Sequence, residues 1–113
     1  MISWSFLLTI NIDTFIIIDI KWIEFGSESM VNELKALSDE SRLEIVMLIA
    51  KRGELCGCEI EKHFSISQST VSHHMKILTN SNIVSERKEG RSHYYSLNKD
   101  VLQELVLYLK QLL

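Results

Sequence analysis

The stretch that decides the fold is Ile60-Glu61-Lys62-His63-Phe64-Ser65-Ile66-Ser67-Gln68-Ser69-Thr70-Val71-Ser72-His73-His74-Met75-Lys76-Ile77-Leu78-Thr79. Its first part belongs to a short helix over about 58–63 that turns Ile60 and Phe64 inward. Ser65, Ile66 and Ser67 make a tight turn. Ser67 is placed to cap a second helix, Gln68–Thr79, because a serine oxygen there accepts from an otherwise free backbone N–H of the first turn. Val71, Met75 and Leu78, with Ile77 beside them, recur at the spacing of a buried helical stripe. Gln68, Ser69, Thr70, Ser72, His73 and Lys76 decorate the other faces. A short helix, a tight turn and a second helix with a polar, hydrogen-bonding face form a helix-turn-helix.

Downstream, the apolar period changes. Ile83–Lys88 reads as a strand, Glu89-Gly90 as a hairpin turn and Arg91–Leu97 as the returning strand. Arg87, Lys88 and Arg91 put cations at the tip, and a basic hairpin beside a reading helix is a wing that follows phosphates or enters the minor groove. Upstream, residues 30–37 form a short helix with Val31, Leu34 and Leu37 as its apolar face. A longer helix runs from Ser38 or Asp39, either of which is a suitable cap, to about Lys51. Its main stripe is Leu43, Val46, Met47 and Ala50, with Ile45, Leu48 and Ile49 filling in, and Gly53 stops it.

The last helix is capped by Asn98, with Asp100 in its first turn. Val101, Leu102, Leu105, Leu109 and Leu112 recur along it, and neighbouring leucines widen the stripe. So apolar a helix at the end of a small domain calls for a second chain to cover it, each buried leucine contributing about 1.5–3 kcal/mol. The expected interface is Leu34, Val101, Leu102, Leu105, Leu109 and Leu112, in a homodimer. The fold class is mainly α with a small β-hairpin wing, a homodimeric winged helix-turn-helix.

Length and charge agree with this reading. The chain has 113 residues, 46 % apolar and 24 % charged, with no proline and 4 glycines. That suffices for one small domain and excludes a disordered tail or a disulfide-stapled miniprotein. The net charge is −3, but residues 62–93 carry +3 and all four histidines, leaving −6 elsewhere. A basic lobe on an acidic body suits a protein that meets DNA with one face. There is no phosphate loop, no paired carboxylates beside a nucleophile and no metal triad, so an enzyme is disfavoured.

Residues 1–29 stand apart from the 30–113 domain. They hold both tryptophans and the run Phe15-Ile16-Ile17-Ile18, with partial alternation that leans toward strand. Asp13, Asp19, Lys21 and Glu24 break the apolar stretch short of the roughly 20 residues of a membrane helix, and no secretory signal is present. Either this extension pads a dimer or Met30 is the true start; DNA binding is expected not to need it.

Quoted in order, Leu37-Ser38-Asp39-Glu40-Ser41-Arg42-Leu43-Glu44-Ile45, Glu54-Leu55-Cys56-Gly57-Cys58-Glu59, Ser67-Gln68-Ser69-Thr70-Val71-Ser72-His73-His74-Met75-Lys76-Ile77-Leu78 and Arg87-Lys88-Glu89-Gly90-Arg91-Ser92-His93-Tyr94-Tyr95 resemble the ArsR/SmtB family of metal- and metalloid-responsive repressors over residues 30–113. The resemblance implies a winged-helix homodimer joined by its first and last helices and released from operator DNA by an inducer. It implies that the helix from Gln68 reads the major groove and that Arg87–His93 is the wing. Gln68 suits an adenine edge, Ser69, Thr70 and Ser72 offer short hydroxyls, and His73 and Lys76 add phosphate or base contacts. His74 is either a further contact or an inward-packed histidine.

Cys56 and Cys58 are the only cysteines. A disulfide between them is not expected, because its ring would be small, and their use suits a reducing cytoplasm. A helix N-terminus lowers thiol pKa values and favours the thiolate that binds soft ions. Residues two apart on a regular helix diverge, so one atom held by both sulfurs requires a distorted first turn, which Gly57 makes easy. In the resembling family, Glu-Leu-Cys-x-Cys-(Asp/Glu) is the trivalent-arsenic signature. The chain departs from it at Glu61, where a further cysteine often stands, and it has neither the N-terminal cysteine of the cadmium type nor a histidine on its last helix for the zinc type. The implied inducer is trivalent arsenic or antimony, including methylated arsenicals, with His63 the candidate third ligand; no cofactor is required for DNA binding. Two alternatives stay open: a winged-helix regulator without a metal effector, redox-responsive or constitutive, and a dimeric interaction module that has lost DNA binding.

Overall fold

The computed structural model describes residues 30–113, so the expectations for 1–29 lie outside the described residues. Helix α1 covers residues 30–37. It is followed by α2 (Glu40–Arg52), β1 (Glu54–Cys56), α3 (Gly57–Phe64), α4 (Gln68–Asn80), β2 (Val84–Glu89), β3 (Ser92–Leu97) and α5 (Lys99–Lys110). The expected fold class, helical with a hairpin wing, is the one observed.

The caps explain why the helices begin where they do. The Asp39 carboxylate accepts from the Arg42 N–H at 3.1 Å, and that bond holds the Asp39 pKa below its usual value. Ser67 accepts from the Thr70 N–H and Asn98 from the Val101 N–H. Gly53 closes α2 at φ 88°, a conformation that favours glycine. Ser65 takes the left-handed form at φ 53° and reverses the chain between α3 and α4.

One strand escapes the sequence reading. Glu54–Cys56 pairs antiparallel with β3 (Glu54 opposite Ser96, Leu55 opposite Tyr95, Cys56 opposite Tyr94), giving a three-stranded sheet in the order β1-β3-β2. The hairpin is thereby laced to the helices through main-chain bonds. Between α2, α3, α4 and the sheet lies one core, built around Ile45, Ile49, Leu55, Ile60, Met75 and Leu78.

Two faces differ from expectation. In α2 the buried residues are Ile45, Val46, Leu48 and Ile49, while Leu43 and Met47 are exposed. The reason is the sheet: β1 and β3 pack against this helix, so the choice among its apolar residues is resolved by where the strands lie. In α1, Met30, Glu33 and Ala36 are buried and Val31 is exposed; burial raises the Glu33 pKa. The apolar stripe of α5 also divides. Val101 and Leu102 pack on the chain's own core and Leu105 is buried, whereas Val106, Leu109, Leu112 and Leu113 remain exposed.

The rotation of α2 has a direct consequence for stability. Ile49→Ala, at a residue 0 % exposed, is expected to destabilise the fold by about 2–5 kcal/mol. Met47→Ala, at a residue 63 % exposed, is expected to stay within about 0.5 kcal/mol of the wild type. Urea unfolding at equal protein concentration checks both; equal losses would put the buried face where the sequence pattern had it.

Candidate nucleic-acid interface and thiol site

Helix α4 sorts its residues cleanly. Val71, Met75 and Leu78 face the core, and Gln68, Ser69, Thr70, Ser72, His73 and Lys76 are all exposed. At its start the hydroxyls serve the cap: Ser67 Oγ lies 3.1 Å from Ser69 Oγ and 2.9 Å from Thr70 Oγ1. Ser69 and Thr70 are therefore partly committed to local bonds. The side chains of Gln68, Ser72 and Lys76 have no hydrogen bond or ion pair among the described residues and are free to meet a ligand. His74 turns inward instead. Its Nδ1 is buried without a partner among the described residues, and desolvation lowers its pKa, which favours the neutral ring.

The wing's three cations have different surroundings. Arg87 donates to Glu54 on β1 at 3.0 Å, pairs with Glu89 and lies over the Tyr94 ring at 4.6 Å. The two carboxylates raise its pKa. This guanidinium is a brace across the sheet, from β2 over β3 to β1, and the sequence pattern had no means of separating it from its neighbours. Lys88 and Arg91 are exposed without such partners among the described residues. His93 holds Glu86 through Nδ1 at 2.7 Å and stacks on Tyr95. The Tyr95 hydroxyl is pushed up to about 12, chiefly by burial and also by Glu86.

The cysteines meet, contrary to the sequence expectation. Cys56 and Cys58 form a disulfide, with Cα atoms 5.3 Å apart. The divergence of helical residues two apart does not apply, because only Cys58 is helical. Cys56 ends β1 and occupies the N-cap of α3 with extended backbone (φ −85°, ψ 157°), and its N–H donates to the Glu59 carboxylate at 3.0 Å. From an N-cap, a side chain folds back over the first turn, where Cys58 stands. Gly57 is not needed for an unusual backbone: its φ is not positive, and a Cβ there would sit 3.7 Å from Tyr95 Cε2, an ordinary contact.

Cys56 is buried and Cys58 exposed. Both border a cleft of about 160 Å³. Its lining also includes Gln68 and Ser72 from α4 and Arg91 and His93 from the wing. The thiol pair, the first turn of the polar helix and the wing thus share one depression. His63 does not join them; it is exposed at the far end of α3 with its ring edge-on to Phe64. Among the described residues no three His, Cys, Asp or Glu side chains converge to hold a metal ion. No helix among them is long and apolar enough to cross a membrane.

Comparison with known proteins places this geometry in a family. The profile described as "Bacterial regulatory protein, arsR family" matches residues 39–86. The chain is 49 % identical over 73 residues to the arsenical resistance operon repressor of Staphylococcus aureus, covering 65 % of this chain and 69 % of that protein. Among solved structures, HlyU from Vibrio cholerae is 31 % identical with a TM-score of 0.62, covering 74 % of this chain and 88 % of that one. A Mycobacterium bovis chain, described as a homodimeric winged helix-turn-helix DNA-binding domain, is 28 % identical with a TM-score of 0.63, covering 75 % and 77 %. The polar helix, its preceding turn and the hairpin carry the same fold as these proteins, and the chain belongs to the arsR family of bacterial regulatory proteins: it is a winged helix-turn-helix transcriptional regulator.

Proposed function

We propose that this chain is a cytoplasmic, homodimeric repressor that binds operator DNA through α4 and the wing and leaves it when trivalent arsenic or antimony binds Cys56 and Cys58. Residues 30–113 carry both the DNA-binding and the dimerisation function. The observation that carries the reading is the shared cleft: the two sulfurs border the same depression as Gln68 and Arg91. A change at the thiols is therefore felt at the reading surface without a long relay. Gln68, Ser72, His73 and Lys76 face the groove, with Ser69 and Thr70 near the backbone, while Lys88 and Arg91 follow phosphates. Arg87 acts by holding the wing to β1.

In the reduced protein two thiolates are available to one soft trivalent centre. Arsenic with one carbon substituent has two exchangeable positions, and two protein sulfurs satisfy it; inorganic arsenite keeps a third for solvent or a small thiol. The arsenical-repressor relative supports this choice of inducer. The Cys56–Cys58 disulfide favours a second reading, in which oxidation itself is the signal. Operator affinity of the oxidised and reduced chains, compared without metalloid, separates the two: equal affinities leave the metalloid reading standing.

The exposed half of the α5 stripe supports a second copy as its cover. Leu109→Glu is expected to shift the chain from dimer toward monomer at micromolar concentration in sedimentation, and a monomeric wild type would remove the interface.

On DNA, Gln68→Ala is expected to lose about 1–3 kcal/mol on the preferred site and little on a scrambled duplex. Arg91→Ala should weaken both and, for a phosphate contact, lower the salt slope by about 1. Anisotropy titrations at several salt concentrations read both effects, and two silent variants would place the reading surface elsewhere.

For induction, Cys56→Ser and Cys58→Ser are each expected to bind operator within about twofold of wild type and to respond to no arsenical. In the reduced wild type a monomethylated trivalent arsenical should release DNA at lower concentration than arsenite. Release unchanged in the double serine variant would dismiss the site.

A further inference from the structure

A trivalent metalloid bound by two protein sulfurs has one substituent left over, and the cleft beside Cys56 and Cys58 is where that substituent must go. We infer that this cleft is a binding subsite for the third substituent of a thiol-bound arsenical, that it selects an anionic one, and that Arg91 is the residue that selects. The inference rests on the assignment of Cys56 and Cys58 as metalloid ligands made above.

The cleft's volume of about 160 Å³ holds a small organic group. Val71 and Tyr95 supply apolar wall. Of the charged side chains around it, Arg91 has no partner among the described residues, whereas His93 already holds Glu86. Glu61, one turn beyond Cys58, is the carboxylate on the lining and works against an anion. Gln68 and Ser72 add uncommitted donors. A guanidinium with open donors beside neutral donors is a carboxylate receptor.

The chemistry balances without redox change at arsenic. An aryl- or alkylarsonous acid loses two As–O bonds and gains two As–S bonds; the two thiol protons leave with the hydroxyls as water, and the carbon substituent stays. The disulfide must first be opened by a two-electron reductant, in a cell a small thiol that becomes its own disulfide. Because Gln68 and Arg91 also belong to the DNA surface proposed above, an anion on Arg91 stands where a phosphate would. Release then comes by direct exclusion as well as by any change of shape.

The test uses the full chain, reduced with a phosphine, without DNA. Calorimetry compares phenylarsonous acid with its 4-carboxyphenyl analogue, each referred to its affinity for a small dithiol to cancel intrinsic differences. The carboxylate is expected to bind about tenfold tighter, the equivalent of one charge-assisted pair of about 1.4 kcal/mol. Arg91→Ala should bring the ratio near one while the phenyl compound still binds, Arg91→Lys should restore part of it, and Glu61→Gln should raise it. Equal affinities in the wild type, or a ratio untouched by Arg91→Ala, overturn the subsite while leaving the thiol site intact. Binding of neither compound, or equal binding to the Cys56→Ser/Cys58→Ser variant, overturns the thiol assignment and the subsite with it.

Discussion

Three residues of strand pairing hold this molecule's parts in register. Leu55 lies opposite Tyr95, and both side chains are buried. Through that pair the hairpin becomes part of the core instead of an arm attached by one loop. An isolated two-stranded hairpin is marginal in water, and the third strand, short as it is, gives β3 a partner on each side. The same strand delivers Cys56 to the N-cap of α3 in extended form, and that conformation brings its sulfur to Cys58.

The Arg87 brace works on the same joint. Glu54 begins β1 and Arg87 sits on β2, with Tyr94 of β3 between them. Exposed ion pairs contribute little to stability. This one matters more for geometry, since it fixes a wing strand against the strand that ends in Cys56. It also divides the wing's cations into one held internally and two left for a ligand. Net charge in residues 62–93 therefore overstates the cations that the hairpin leaves uncommitted.

Convergence of the thiol pair, the start of α4 and Arg91 on one cleft makes the proposed sensing and reading sites neighbours. A coupling between distant sites needs a two-state element to carry it. Here the distance is a single small cavity, and under the proposed function a ligand on the sulfurs would reach the α4 and wing side chains by contact. Of the two cysteines on its lining, Cys56 is buried and Cys58 exposed.

Much of this was legible in the residues themselves. The caps at Ser67 and Asn98, the cap of α2 to within Ser38 or Asp39, the stop at Gly53, the α4 stripe and the hairpin turn at Gly90 are local: each depends on one side chain and the nearest few backbone groups. The polar face of α4 follows from the same periodicity, because what is left off a buried stripe is exposed. What tertiary structure alone decided is non-local. Leu43, Met47 and Ile49 are equally apolar, and only the position of the sheet determines which is buried. Glu54-Leu55-Cys56 is too short to show a period and becomes a strand only because β3 lies beside it. Arg87, Lys88 and Arg91 look alike in the chain until Glu54, 33 residues away, binds one of them. The cysteines were expected to diverge as members of one helix and instead meet, because an N-cap residue is aimed by the strand before it and not by the helix after it.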